Sequence, residues 1–212
     1  MDNNTNAIIT GTIGSLEVID GGSLSYNTAP SGNGGAISAA ISIGSINITG
    51  GQVVGNYAAK SGGAIYVQTD VPKGVTVAGG SVIEGNVAGN LTGGFLSVNG
   101  AIRGDVVVSG ASRICSNSAG TSGGAIFVED AVYGVLDVTV GSTVCNNTAK
   151  GTGGGISAGY TVARVLVDGG SSLSGNSAGG DGGAVWVEGP ISGVTVSDGS
   201  HMSGNRARGD GK

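Results

Sequence analysis

The chain has 212 residues, a net charge of −5, 46 glycines and 3 prolines, with 11% charged and 4% aromatic residues. No apolar run approaches the roughly 18 residues of a membrane helix, and an acidic chain without a basic patch does not suit nucleic acid. Met1-Asp2-Asn3-Asn4 has no basic or apolar stretch of the signal-peptide kind, so the expectation is a cytoplasmic chain or a mature or recombinant piece of an exported one.

Glycine at this frequency reads as disorder unless it is periodic. Here it is periodic, and the ruler is an asparagine: Asn27, Asn56, Asn86, Asn117, Asn147, Asn176 and Asn205, at gaps of 29, 30, 31, 30, 29 and 29 residues. Alanine stands two positions after each, at Ala29, Ala58, Ala88, Ala119, Ala149, Ala178 and Ala207. A fixed period of this length marks a solenoid. No stretch sustains a 3.6-residue apolar period, which excludes helical repeats.

Taken in chain order, each repeat begins with a V-x-V strand ending about nine residues before the Asn: Leu16/Val18, Ile46/Ile48, Val75/Val77, Val106/Val108, Leu136/Val138, Val165/Val167 and Val194/Val196. Alternation turns these residues inward and the mixed set between them outward. A second segment carries an aliphatic residue three before the Asn: Leu24, Val53, Ile83, Ile114, Val144, Leu173 and Met202. The Asn follows at a corner, where equivalent side chains would stack roughly 4.8 Å apart and share hydrogen bonds. The alanine suits a crowded inner corner.

A third strand follows each Gly-Gly pair, as in Gly34-Gly35-Ala36-Ile37, Gly62-Gly63-Ala64-Ile65, Gly93-Gly94-Phe95-Leu96, Gly123-Gly124-Ala125-Ile126, Gly153-Gly154-Gly155-Ile156 and Gly182-Gly183-Ala184-Val185. The predicted fold is all-β: a single right-handed parallel β-helix over residues 1–212, with seven coils and three strands per coil. Handedness follows the preference of parallel crossovers, and the rod would be about 30–35 Å long.

The pairing of these Gly-Gly-Ala-aliphatic blocks with x-x-x-Asn blocks resembles the repeats of chlamydial polymorphic outer-membrane proteins, which carry GGA(I/L/V) and FxxN motifs and are autotransported β-helical adhesins. Residues 34–37, 62–65, 123–126 and 182–185 match the first motif. In the second an aliphatic residue replaces Phe, as in Leu173-Ser174-Gly175-Asn176, a spelling similar to β-helix repeats of large Gram-positive surface proteins. Either resemblance implies export, an extracellular or cell-surface location, and an adhesive or structural role. Neither family's membrane or wall anchor is present in this sequence.

Two sets of residues stand out in the columns. Cys115 and Cys145 share the column two before the Asn in adjacent coils, within disulfide reach, and a free thiol pair is the alternative. In the third strand, the outward residue alternates between serine and aromatic: Ser38, Tyr66, Ser97, Phe127, Ser157, Trp186. Gln68, Glu129 and Glu188 stand two residues beyond the three aromatics. Such a stripe would bind a sugar chain or a partner surface. The alternative is that the following loops cover the rings.

Other motifs carry less. Arg103-Gly104-Asp105 and Arg208-Gly209-Asp210 have an integrin-binding spelling, but glycine-rich corners generate it readily. Gly179-Gly180-Asp181-Gly182 is one faint calcium β-roll-like stretch. The acids scatter between columns and the one histidine, His201, lies in the last coil, so no catalytic group, metal or cofactor is expected. The column after each Asn, from Thr28 to Arg206, is too irregular for an ice-binding face.

The expected function is a non-enzymatic surface module, adhesin-like, with a glycan or a host or cell-surface protein as candidate partner. The alternative is a fibre subunit. Ala7-Ile8 occupies the strand position that would follow Gly211-Lys212, so head-to-tail stacking would complete a coil, as would a cut between repeats of a longer protein. A carbohydrate-binding or carbohydrate-active β-helix and an ice-binding protein are more distant alternatives.

Overall fold

In the computed structural model, which describes residues 7–9 and 11–209, the chain winds into a parallel β-solenoid of 28 short strands, with no helix among the described residues. The strands stack into four parallel sheets of seven strands each. The expected three strands per coil is corrected to four. The missed strand has two residues and comprises the residue after each Asn and its alanine, from Thr28–Ala29 to Arg206–Ala207. The expected seven coils become about six turns, because seven strands in a stack are separated by six steps.

The first sheet holds the V-x-V strands from Leu16–Ile19 to Val194–Val196. The second holds the aliphatic strands from Ser23–Ser25 to His201–Ser203. The third holds the Gly-Gly strands from Ala7–Ile9 to Val185–Val187, and the two-residue strands form the fourth. Pairing is in register from coil to coil, as in Val75↔Val106↔Leu136. The long strand Val132–Val138 is the exception and carries a register shift between Val132 and Val135.

β-branched residues dominate because a pleated strand seats them well and alternation sends every second one inward. Ile46, Ile48, Ile83, Ile114 and Leu173 are wholly buried, with Phe95 filling the core at the position where most coils have alanine. Each such aliphatic side chain contributes about 1.5–3 kcal/mol on burial. Ala58, Ala88 and Ala119, in the fourth sheet, are buried as well.

The turn into the Asn is a left-handed residue directly before it. Tyr26, Gly55, Gly85, Ser116, Asn146, Gly175 and Gly204 all have φ between 54° and 66°. That turn frees the carbonyl of the inward aliphatic residue, and the Asn of the next coil takes it up. Asn86 Nδ2 donates to Val53 O at 2.9 Å and to Asn117 Oδ1 at 2.9 Å, while the backbone N–H of Asn86 donates to the same Asn117 Oδ1 at 3.0 Å. The pattern repeats at Asn56, Asn147 and Asn176. Asn27 joins the ladder at one end through Asn56 Oδ1, and Asn205 at the other through Asn176 and Leu173 O. Aspartate could not replace it, because it lacks the Nδ2 donor. Asn56, Asn86, Asn117, Asn147 and Asn176 are wholly buried, where an unpaired amide would be costly.

Candidate functional site

The aromatic column of the third sheet is built by the Gly-Gly pair ahead of it. The first glycine takes a left-handed turn, with φ +64° at Gly62 and +67° at Gly182. The second sits where coils meet backbone to backbone. A Cβ on Gly94 would overlap the carbonyl oxygen of Gly124 and lie 2.6 Å from Ser118 N. No side chain fits between the third and fourth sheets there, so the strand that follows leaves the corner at a fixed angle.

Residues of that strand alternate cleanly across the sheet. Ser97 pairs with Tyr66 on one side and Phe127 on the other, and Ser157 pairs with Phe127 and Trp186. Of the two readings of this column, an open stripe or covered rings, Tyr66 fits the second, at 6% exposed. Phe127 and Trp186 are half-buried. Ser97 and Ser157 are wholly buried even though they lie on the outer side of the sheet. Each small residue is flanked in register by rings of the neighbouring coils, and each is capped by a loop hydroxyl: Thr92 Oγ1 lies 2.9 Å from Ser97 Oγ, and Thr152 Oγ1 lies 3.4 Å from Ser157 Oγ. The two-coil alternation is thus a tiling, with a ring on one coil beside a hydroxyl on the next.

The polar residues beyond the rings remain outside. Gln68, Glu129 and Glu188 are exposed. Tyr66 Oη donates to Gln68 Oε1 at 2.8 Å, and burial pushes the Tyr66 hydroxyl above its ordinary pKa. What this face offers a partner is therefore the half-buried rings of Phe127 and Trp186 with a rim of three exposed polar groups.

Cys115 and Cys145 are joined by a disulfide across two adjacent strands of the second sheet, with 4.6 Å between their Cα atoms. Cys115 is buried although its column faces outward. Beside it Arg113 pairs with Glu84 at 3.2 Å.

The first Arg-Gly-Asp is tied into the fold. Arg103 donates to Asp70 from Nε and from Nη2, at 2.9 and 2.7 Å, and lies 5.8 Å from the centroid of the Tyr133 ring. Asp105 accepts the Val135 N–H at 2.7 Å. In the second, Arg208 and Gly209 are described and Asp210 lies outside the described residues, as do Gly211 and Lys212.

One electrostatic group escaped the column reading. Asp137 lies on the outer side of the first sheet with one carboxylate oxygen, Oδ1, buried without a partner. Desolvation raises its pKa, and the carboxylates of Asp168 and Asp105 raise it further. These acids occupy different columns in successive coils, so aligning columns does not reveal them. Asp168 is itself hydrogen-bonded to the Thr139 hydroxyl. Among the described residues no group of His, Cys, Asp or Glu is placed to hold a metal ion, Asp181 included.

Two stretches match the family model of the Chlamydia polymorphic membrane protein repeat, residues 52–68 and 170–188. Each runs from an aliphatic strand through the Asn and the Gly-Gly pair, takes in an aromatic coil, and ends on the polar residue beyond the ring, Gln68 or Glu188. The match is consistent with a surface β-helix protein. No curated protein matches the chain, and no solved structure does. No helix of the described residues is long and apolar enough to cross a membrane.

Proposed function

We propose that this chain is a non-enzymatic β-helix module of a cell surface that works as an adhesin. The observation that carries this reading is the coincidence of the repeat match with the aromatic coils. Both matched stretches contain a ring, Tyr66 or Trp186, and its polar neighbour, on an uninterrupted parallel solenoid. A rigid rod whose columns repeat every coil is suited to presenting the Trp186 ring and the exposed Gln68 and Glu188 to a surface. Its glutamates are dispersed, and the acids flanking Asp137 are hydrogen-bonded, Asp105 to the Val135 N–H and Asp168 to the Thr139 hydroxyl, which does not favour paired-acid chemistry. Labelled chain added to cultured animal cells tests the proposal. Saturable binding that Trp186→Ala with Phe127→Ala weakens is the expected result, and binding no greater than that of an unrelated β-solenoid overturns it. Cleavage of polygalacturonate or alginate would overturn the non-enzymatic part.

A second reading is a fibre built by head-to-tail stacking. It is favoured by Val194, Val196 and Met202 in the last described coil, which are 56%, 43% and 37% exposed. A second copy stacked on these strands would cover them and pair their open edge. Sedimentation at rising concentration tests this: growing oligomers are expected, and a strictly monomeric rod contradicts it.

A further inference from the structure

The fold assembles a basic notch on the outer face of the fourth sheet. Thr148 pairs with Ser177 and Ser177 with Arg206 across three successive coils. Two residues further along lie Lys150, Gly179 and Arg208. Ala149 and Ala178, between the two columns, are buried, whereas Thr148, Lys150, Arg206 and Arg208 are exposed. Lys150 and Arg208 each lie just past a two-residue strand, two coils apart, and the Arg208 N–H donates to Gly180 O at 3.1 Å. Gly179 between them has no side chain, and a Cβ there would overlap the backbone carbonyl of Lys150. A cavity of about 270 Å³ beside it is lined by Lys150, Arg208 and the hydroxyl-bearing Thr148 and Ser177.

The ion pairs among the described residues are Arg103–Asp70 and Arg113–Glu84, and none involves Lys150, Arg206 or Arg208. Asp181 lies against Gly209, one position beyond the notch. Lys150, Arg206 and Arg208 thus lie near one carboxylate, Asp181, in a chain whose net charge is −5. Their positions are 58 residues apart in sequence between Lys150 and Arg208, so no basic run announces them.

We infer that this notch binds an acidic polysaccharide, a sulfated or uronate-bearing glycan chain. A sulfate or carboxylate seated over Gly179 would accept hydrogen bonds from the Lys150 ammonium, the Arg208 guanidinium and the two hydroxyls. Exposed cations hold a single small anion weakly, because water competes for both partners. A polymer with anions at intervals engages Arg206 as well, and each contact raises the effective concentration for the next. Nucleic acid is disfavoured: three cations neutralise few phosphates, and the acidic remainder of the chain repels the backbone. This site is separate from the aromatic column, so it stands or falls independently of binding there.

The test is binding of the full chain to immobilised heparin and to polygalacturonate at two salt concentrations. Single-stranded DNA and free inorganic sulfate are run as comparison probes. Binding to at least one glycan, weakened by salt, is expected. Lys150→Gln with Arg208→Gln should weaken it about tenfold or more, while Lys60→Gln, an exposed cation elsewhere, should change it less than about twofold. The melting temperature of each variant is checked to be that of the parent, and Arg206→Gln supplies a second, milder loss. Failure of the parent to bind either glycan overturns the proposal, as does equal loss in the Lys60 variant. DNA binding as tight as glycan binding marks a general polyanion surface, and displacement by millimolar sulfate marks a small-anion site. Either of these also overturns it.

Discussion

Cys115 and Cys145 face each other directly across adjacent coils of the second sheet and are joined, 30 residues apart in the chain. The bond closes one full turn of the solenoid and adds a covalent tie between coils that also meet through backbone pairing, packing and the Asn117–Asn147 hydrogen bonds. In a repeat rod each coil touches only its neighbours, so a covalent tie at one interface protects that interface first. Closing a loop of this length restricts the unfolded chain by about 3–4 kcal/mol on the chain-entropy account. Reduction with a phosphine should therefore lower the melting temperature of the parent. The Cys115→Ser/Cys145→Ser variant should melt near the reduced parent and ignore reductant. A parent indifferent to reductant would mean that the tie does not limit stability.

The two glycine roles separate by substitution. Gly94→Ala places a methyl group into the backbone of the next coil, at Gly124 and Ser118, where no flexible side chain can yield. Gly80, with φ +74°, has open space where its Cβ would be, so Gly80→Ala meets only the cost of a left-handed backbone. We expect about 1 kcal/mol for Gly80→Ala and more than about 3 kcal/mol for Gly94→Ala. Urea denaturation measures both, and equal losses would refute the close approach of the third and fourth sheets.

Asp137 and Asp70 act on stability in opposite senses. The folded chain raises the pKa of Asp137, chiefly by desolvation and then by Asp168 and Asp105, so the charged carboxylate opposes folding. Its penalty is absent below the ordinary aspartate range and grows as pH rises through its folded pKa. Asp70 is lowered, first by the N–H of Ala101 and, against some desolvation, by Arg103. Its contribution is present above the ordinary aspartate range and is lost as pH falls through its depressed folded pKa. Asp137→Asn should therefore raise stability at neutral pH. That advantage should vanish near about pH 4. Asp70→Asn should cost stability at neutral pH and little in acid. Thermal melts across this range check both, and an Asp137→Asn chain less stable at neutral pH would contradict the assignment.

Much of this fold can be read from columns. The inward pairs Ile46/Ile48 and Val106/Val108, the asparagine ladder and the buried alanines all occupy positions a 30-residue alignment singles out. The two-residue strands such as Tyr57–Ala58 do not stand out, because a strand that short has no alternation to recognise. Burial is also hidden. Alternation assigns Ser97 to the outer side between Tyr66 and Phe127, but only the fold shows it wholly buried there with Thr92 closing over it. Lys150 and Arg208 share a column and were legible in principle, but Gly179 between them reads as a gap and becomes the notch only in three dimensions. Asp105, Asp137 and Asp168 fall in separate columns, and their interaction depends on how each strand enters and leaves the first sheet.

The register itself is open to one decisive measurement, a double-mutant cycle on the ladder. Asn86 and Asn117 share two hydrogen bonds through Asn117 Oδ1, at 2.9 and 3.0 Å, whereas Asn56 and Asn147 lie three coils apart. Each single Asn→Ala change should cost about 2–4 kcal/mol in urea denaturation, since it orphans several buried partners. The Asn86/Asn117 pair should show a coupling energy of about 1–2 kcal/mol, and the Asn56/Asn147 pair should be additive within about 0.5 kcal/mol. Additivity at Asn86/Asn117, or equal coupling at the distant pair, would contradict the in-register solenoid on which every column, and the sites read from it, depends.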